Sequence, residues 1–255
     1  MKKKLWIILA LTSITLLLTG CTEYNQPIYS DTEGFWSKYI VWPFVAFITL
    51  FKGLLGTYAW GIVCVTIIIR LAILPLMIKQ TKSAKKMQEL QPKLAKLKEK
   101  YSSKDAVTQK KYQEEMMKLM SESGANPAAG CLPVLIQMPI LVGFYHAISR
   151  MNSTPEINLG DFFMFPLAES SIVLAVLAGI MQFIVLRTGP AMDNPQMRIM
   201  MYIMPFMIIG LGSYLPAALS LYWVIGNIIT FIQNLVMYKP WNKTTKPAKT
   251  GGAKK

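Results

Sequence analysis

The sequence predicts an all-α polytopic membrane protein: five transmembrane helices with an outer interfacial amphipathic helix and a cytoplasmic helical hairpin. Three observations predict it. Of 255 residues, 53% are hydrophobic and only 16% charged, where a soluble domain carries nearer a quarter. Several apolar runs reach roughly 16 to 22 residues, long enough as helices to cross a hydrocarbon core about 30 Å thick. The lysines and arginines behind the net charge of +14 gather on one side of a five-span arrangement. Helices are the default because lipid cannot satisfy an open backbone.

The chain begins with a basic head, Met1 to Lys4, then the apolar stretch Leu5 to Leu18 and the small residues Thr19 and Gly20. Residues 1–20 read as a secretory signal peptide. Its end, Leu18-Thr19-Gly20-Cys21, resembles the bacterial lipobox, which implies cleavage before Cys21 and a lipoprotein anchor of diacylglyceryl and N-acyl chains (palmitate) there. Such an anchor holds the mature N-terminus on the outer face; an uncleaved membrane anchor is the alternative. Residues 21–58 then form an extracytoplasmic segment. Within it Phe35 to Leu55 is rich in Phe and Trp, while Lys38, Thr49 and Lys52 share one narrow arc at about 100° per residue. That pattern fits a helix lying in the interface.

The spans follow at Ala59 to Ile78, Leu132 to Ile148, Ser171 to Leu186, Ile199 to Gly212 and Pro216 to Tyr238. In domain terms these are the first span at 59–78, a cytoplasmic hairpin at 79–130, the remaining four spans within 131–238 and a basic tail at 239–255. Orientation comes from the cations near the spans. With the N-terminus outside, 12 Lys in the hairpin region, Arg187 and Arg198 between the third and fourth spans, and six Lys in the tail lie inside; Lys38, Lys52 and Arg150 lie outside. Making Phe35 to Leu55 a span inverts this bias. The expected location is therefore a bacterial plasma membrane, with the C-terminus cytoplasmic.

Inside the hairpin region, Met87, Leu90, Leu94, Leu97 and Tyr101 repeat at 3, 4, 3, 4, the seam of a coiled coil. A break at Ser102-Ser103-Lys104-Asp105 is followed by Tyr112, Met116 and Leu119 at similar spacing. Ser102 with Asp105 three residues on fits a capping box, and Gly124-Ala125-Asn126-Pro127 ends the second helix. The tail has no acid after Lys239 and cannot bury a core.

Among candidate functional residues Arg70 stands first. It follows Ile62 to Ile69, interrupted only by Thr66, and precedes Leu71 to Ile78, which places it about 13 Å deep from Lys79. A charge there costs on the order of 3 kcal/mol, and no Asp or Glu occurs in any span to offset it. Arg70 then faces a watery cavity or an arriving acidic group, or else snorkels along its own stem. Gln137, Gln182, Asn227, Gln233 and Asn234 are polar positions in other spans, each able to line a groove with Arg70 or to hold two helices together. Met197, Met200, Met201, Met204 and Met207 recur at helical spacing, either as packing or as an adaptable apolar surface. His146 has no ligand set around it, and Cys64 and Cys131 read as small buried hydrophobes. No disulfide, metal site, nucleotide loop or nucleophile elbow is indicated, so the sequence points away from an enzyme.

The run Thr66 to Leu76, the segment Met87-Gln88-Glu89-Leu90-Gln91-Pro92, the stretch from Asn126-Pro127 through Gln137-Met138-Pro139-Ile140, and Leu219-Ser220-Leu221-Tyr222-Trp223-Val224 resemble the YidC/Oxa family of membrane protein insertases, in the right order over nearly the whole mature chain. With the lipobox and no large extracytoplasmic domain, the chain is similar to the short Gram-positive lipoprotein-type members. The resemblance implies insertion and chaperoning of small membrane proteins through a hydrophilic groove, open to cytoplasm and bilayer and closed outside, without nucleotide hydrolysis or a bound cofactor. It implies that Arg70 contacts hydrophilic, often acidic, substrate parts, with nascent membrane proteins as partners, alone or beside the Sec translocon, and function as a monomer. The tail adds the ribosome, through ribosomal RNA, and anionic membrane lipids as partners reached by counter-ion release. A transporter is the rival reading, but it calls for inverted repeats, and none is present.

Overall fold

The computed structural model describes residues 24–103, 105–124, 132–189 and 195–238. The expected signal peptide, Cys21, Asn126-Pro127, Cys131 and the basic tail lie outside the described residues.

A π-helical turn, Ser37–Val41, runs directly into α1, Trp42–Leu55. Pro43 sits at the start of α1, where its missing N–H is no loss. The helix stops at Gly56, whose φ of 89° is left-handed and whose N–H closes on Lys52 O. Thr57 then caps the next helix by accepting from Trp60 N–H at 3.4 Å. This tight corner folds α1 back along α2, Tyr58–Lys100.

α2 is 43 residues long, about 65 Å at 1.5 Å per residue, roughly twice a bilayer core. The boundary expected at Ile78 is therefore no break in structure. Lys79 marks where the side chains change from apolar to charged, and neither Pro75 nor Pro92 ends the helix. After it α3, Ala106–Glu122, returns along α2. Tyr101 Oη donates to Glu115 Oε1 at 2.6 Å, Lys100 pairs with Glu115 at 3.4 Å, and Lys86 Nζ lies 3.5 Å from where a Cβ on Gly124 would stand. Leu90 is buried and Met87, Leu94, Leu97 and Tyr101 are half-buried, as are Gln88 and Gln91. The capping box expected of Ser102 is corrected: Asp105 is itself the cap, accepting from Thr108 N–H at 2.8 Å, while Ser103 Oγ bonds its other oxygen at 2.5 Å. An ionised carboxylate outcompetes a hydroxyl for the positive end of a helix.

α4, Leu132–Ser153, runs a turn beyond the expected Ile148. A two-stranded antiparallel hairpin follows, β1 Asp161–Phe162 and β2 Phe165–Pro166, too short for alternation in sequence to reveal it. α5 is Ile172–Thr188, α6 Pro195–Gly212 and α7 Ala217–Tyr238. α5 packs on both α6 and α7, and α2 packs on both α1 and α7. Among the described residues three helical stretches are long and apolar enough to cross a membrane: Ser37–Leu55, Tyr58–Lys100 and Ala217–Met237; Ile172–Thr188 and Tyr202–Gly212 are shorter apolar helices. By length and composition the expected interfacial helix thus qualifies as a span, and only the charge bias argues otherwise.

The core gathers at the α1 end of the bundle, where Val41, Ile48, Ile62, Ile148, Met151 and Leu167 are fully buried. Phe144 stacks on Tyr222 with centroids 4.6 Å apart. Large apolar side chains also face outward, among them Leu71, Ile180, Ile203 and Phe206. That is the surface a lipid solvent requires.

Candidate functional site

Arg70 sits on α2 among apolar neighbours and is half-buried. Its Nε is buried with no hydrogen-bond partner, and among the described residues no carboxylate lies within ion-pair distance of the guanidinium. The group faces α7 at Gly226: a Cβ there would stand 2.5 Å from Nη2, 3.0 Å from Nε and 3.1 Å from Cζ of Arg70. One turn earlier on α7, Tyr222 Oη accepts from Gln137 Nε2 of α4 at 2.7 Å, within electrostatic range of Arg70. Three helices thus meet around one cation.

The spacing along α7 shows why. Tyr222, Gly226, Thr230 and Gln233 recur at 4, 4, 3 and share one face, the face that meets Arg70 at Gly226. Further along, Lys85 Nζ of α2 donates to Met237 O at 3.2 Å, so α2 and α7 run side by side in the same direction. Between these two contacts stand Thr230 and Gln233 on α7 and Gln80 and Thr81 on α2. Gln80 is 5% exposed, and both of its amide atoms lack partners. A buried amide left unpaired costs about 1–3 kcal/mol, so Gln80 is a second buried polar group on α2 that is short of partners.

A second α7 face carries Ser220, Asn227 and Asn234 at intervals of seven and turns toward α5 and α6. Asn227 donates to Ala178 O at 3.3 Å, and Asn234 donates to Val185 O at 3.0 Å. Gln182 of α5 reaches Met204 Sδ of α6 at 3.5 Å. Of the sequence candidates, the structure therefore gathers Arg70 and Gln137 around Tyr222, sets Gln233 on the same α7 face, and engages Asn227 and Gln182 between helices elsewhere. Met204 packs on the core whereas Met207 is half exposed, so these two methionines do not share one surface.

Sequence reading missed Tyr222, Gly226 and Gln80, although the spacing on α7 was available to place Tyr222 on the Gln233 face. It also counted Arg150 only as an outside charge. Arg150 is 1% exposed, donating to Gln26 O and Pro27 O at 3.0 Å and to Ser37 Oγ at 2.7 Å. Above it Thr154 Oγ1 accepts from Ile28 N–H. The segment after Tyr24 and the π-helical turn are thereby locked onto α4. A cavity of about 360 Å³ lined by Ile28, Trp42, Val45 and Tyr58 lies at this end, away from Arg70.

Comparison with known proteins follows the same lines. The family model described as 60Kd inner membrane protein matches residues 50–245. The membrane protein insertase MisCA of Bacillus subtilis (strain 168) is 47% identical over 262 residues, covering 100% of this chain and 99% of that protein. Membrane protein insertase YidC 2 of Bacillus anthracis is 48% identical over 261 residues and covers 100% of both. The crystal structure of an active YidC insertase with its first transmembrane domain resolved superposes with a TM-score of 0.59 at 30% identity, covering 80% of this chain and 47% of that one.

Proposed function

Because this chain belongs to the 60Kd inner membrane protein family and is a multi-pass membrane protein insertase acting on nascent membrane proteins, we propose that the α2–α7 seam is its substrate groove and Arg70 the cation that receives acidic segments. The observation that carries this reading is the buried, partnerless Nε of Arg70 on an otherwise apolar stretch of helix. A guanidinium held partly dry and unpaired gains more from an incoming carboxylate than one already in an ion pair. The Tyr222–Gln137 pair and the amides of Gln80 and Gln233 extend polar ground toward Lys85. Asn227 and Gln182 hold the helices that flank it.

In this mechanism a hydrophilic substrate tail enters the seam and exchanges hydration for Arg70 and the amides. Its apolar segment partitions outward past side chains such as Leu71, driven by burial at about 25 cal/mol per Å². No nucleotide enters the step. The topology we assign has five spans, the α1 stretch in the outer interface, lipidated Cys21 outside after signal-peptide removal, and the α2–α3 hairpin and tail in the cytoplasm, with the hairpin capturing substrate first. The tail meets ribosomal RNA or anionic lipid. The protein acts as a monomeric chaperone and insertase, alone or with the Sec translocon.

The test is insertion of a small substrate with an acidic tail in cells depleted of other insertases. Arg70→Ala should abolish insertion while the protein still accumulates, and Arg70→Lys should keep part of it. Undiminished insertion by the Ala variant sinks the reading.

A further inference from the structure

We infer that Gly226 is a positioning residue for Arg70, fixing where the guanidinium stands in the groove. The inference rests on the groove reading above and adds a residue to it. The three nearest heavy atoms that a Cβ at 226 would meet all belong to Arg70: Nη2, Nε and Cζ. Backbone atoms of the neighbouring helix are not among them. Gly226 also lies inside α7 with ordinary helical backbone, where nothing in its φ requires glycine. Glycine is a poorer helix former than alanine at such a position, so neither the local backbone nor backbone packing accounts for it.

What it does provide is a flat place on α7 against which the fork lies. The guanidinium is planar and its donors point in fixed directions. A methyl group under it displaces Nη2 first, because the end of a side chain yields before two packed helices do. The donors then point away from the place they occupy now against Gly226. Charge is retained and aim is lost. The defect expected of Gly226→Ala is therefore confined to substrates that use the charge.

The experiment compares wild type, Gly226→Ala, Arg70→Ala, Arg70→Lys and the double variant Arg70→Lys with Gly226→Ala. Each is assayed on one substrate with an acidic tail and on the same substrate with its Asp and Glu changed to Asn and Gln. Membrane accumulation of every variant is measured in parallel. Gly226→Ala should lower insertion of the acidic substrate about tenfold, the factor that about 1.4 kcal/mol of lost contact represents, and leave the amide substrate near wild type. The double variant should insert no worse than Arg70→Lys, because lysine lacks Nη2, the atom nearest the new methyl. Normal insertion by Gly226→Ala beside a defective Arg70→Ala overturns the inference and leaves the groove standing. An equal loss on both substrates, or a double variant worse than Arg70→Lys, also overturns it, since glycine would then serve general packing. If Gly226→Ala fails to accumulate, the double variant decides: its recovery supports positioning and its failure refutes it. A functional Arg70→Ala removes the groove reading itself.

Discussion

The two arginines set among the helices, buried Arg150 and half-buried Arg70, stand in opposite situations. Arg150 has its Nε, Nη1 and Nη2 donating to Gln26, Ser37 and Pro27, and it is sealed from solvent. Arg70 has a buried Nε without a hydrogen-bond partner and lies against Gly226 of α7. The same side chain serves as a bolt in one place and, in the function proposed above, as a receptor in the other. The difference lies in what the surrounding chain offers. At the Arg150 end, irregular backbone after Tyr24 supplies free carbonyls, whereas Arg70 stands within regular helix, where most backbone groups are already paired. A cation set among regular helices is satisfied mainly by side chains, water or a substrate.

The largest stability effect should come from breaking the satisfied arginine. Arg150→Leu removes three hydrogen bonds from a charged donor, each worth about 1–3 kcal/mol. Because Gln26 and Pro27 stand near solvent, a total loss toward the low end of their sum, about 3–5 kcal/mol, is expected. Thermal unfolding in detergent and steady-state accumulation check it; wild-type behaviour in both would show that Arg150 is not the bolt. Arg70→Ala sharpens the contrast from the other side. It removes a charge in an apolar setting that has no partner to orphan, so thermal stability should stay level or rise even as insertion is lost.

The hairpin offers a gentler test of the same division between frame and receptor. Removing Lys82 to Ser123 deletes the outer part of α2 and all of α3, whose return to Lys86 keeps the two cut ends close. It forfeits the hydrogen bond from Lys85 to Met237 O of the bundle. The core around Phe144 and Tyr222 should persist while insertion falls several-fold, measured as membrane accumulation against substrate insertion. Loss of the protein from the membrane would make the hairpin part of the frame.

How much of this was legible beforehand depended on the period of each signal. Long apolar runs with 3.6-residue spacing marked the helices, and the break after Tyr101 marked where α2 ends before α3 begins. Arg70 was legible because a charge among isoleucines is conspicuous in one dimension. Gly226 and Gln80 were not, since a glycine or a glutamine acquires meaning only from what another helix places against it. Arg150 was misjudged for a related reason: its partners are backbone carbonyls of Gln26 and Pro27, which no side-chain pattern encodes. Continuity of α2 through Lys79 was hidden because a change from apolar to charged side chains looks, in sequence, like the end of an element.

The smallest expected effect concerns the cap of α3, and its sign can be worked out. Hydrogen bonds from Ser103 and Thr108 hold the Asp105 carboxyl below its ordinary value of 3.8. A group whose folded pKa is depressed contributes stability that is present above its unfolded pKa and is lost as pH falls through the folded one. The first turn of α3 should therefore be fully capped at neutral pH and should begin to fray only below about pH 4, the unfolded carboxylate range. Hydrogen-exchange protection of the segment around Thr108, corrected for intrinsic rates at each pH, reads this directly. Asp105→Asn keeps an acceptor oxygen but cannot ionise, so its protection should be lower at neutral pH and flat on acidification. Equal pH dependence in both proteins would mean that fraying is driven from Glu115, whose carboxyl is also held low, chiefly by the Tyr101 hydroxyl. Because the cap lies far along the chain from Arg70, substrate insertion at neutral pH should be unchanged, which separates the local cost of a helix end from the work of the groove.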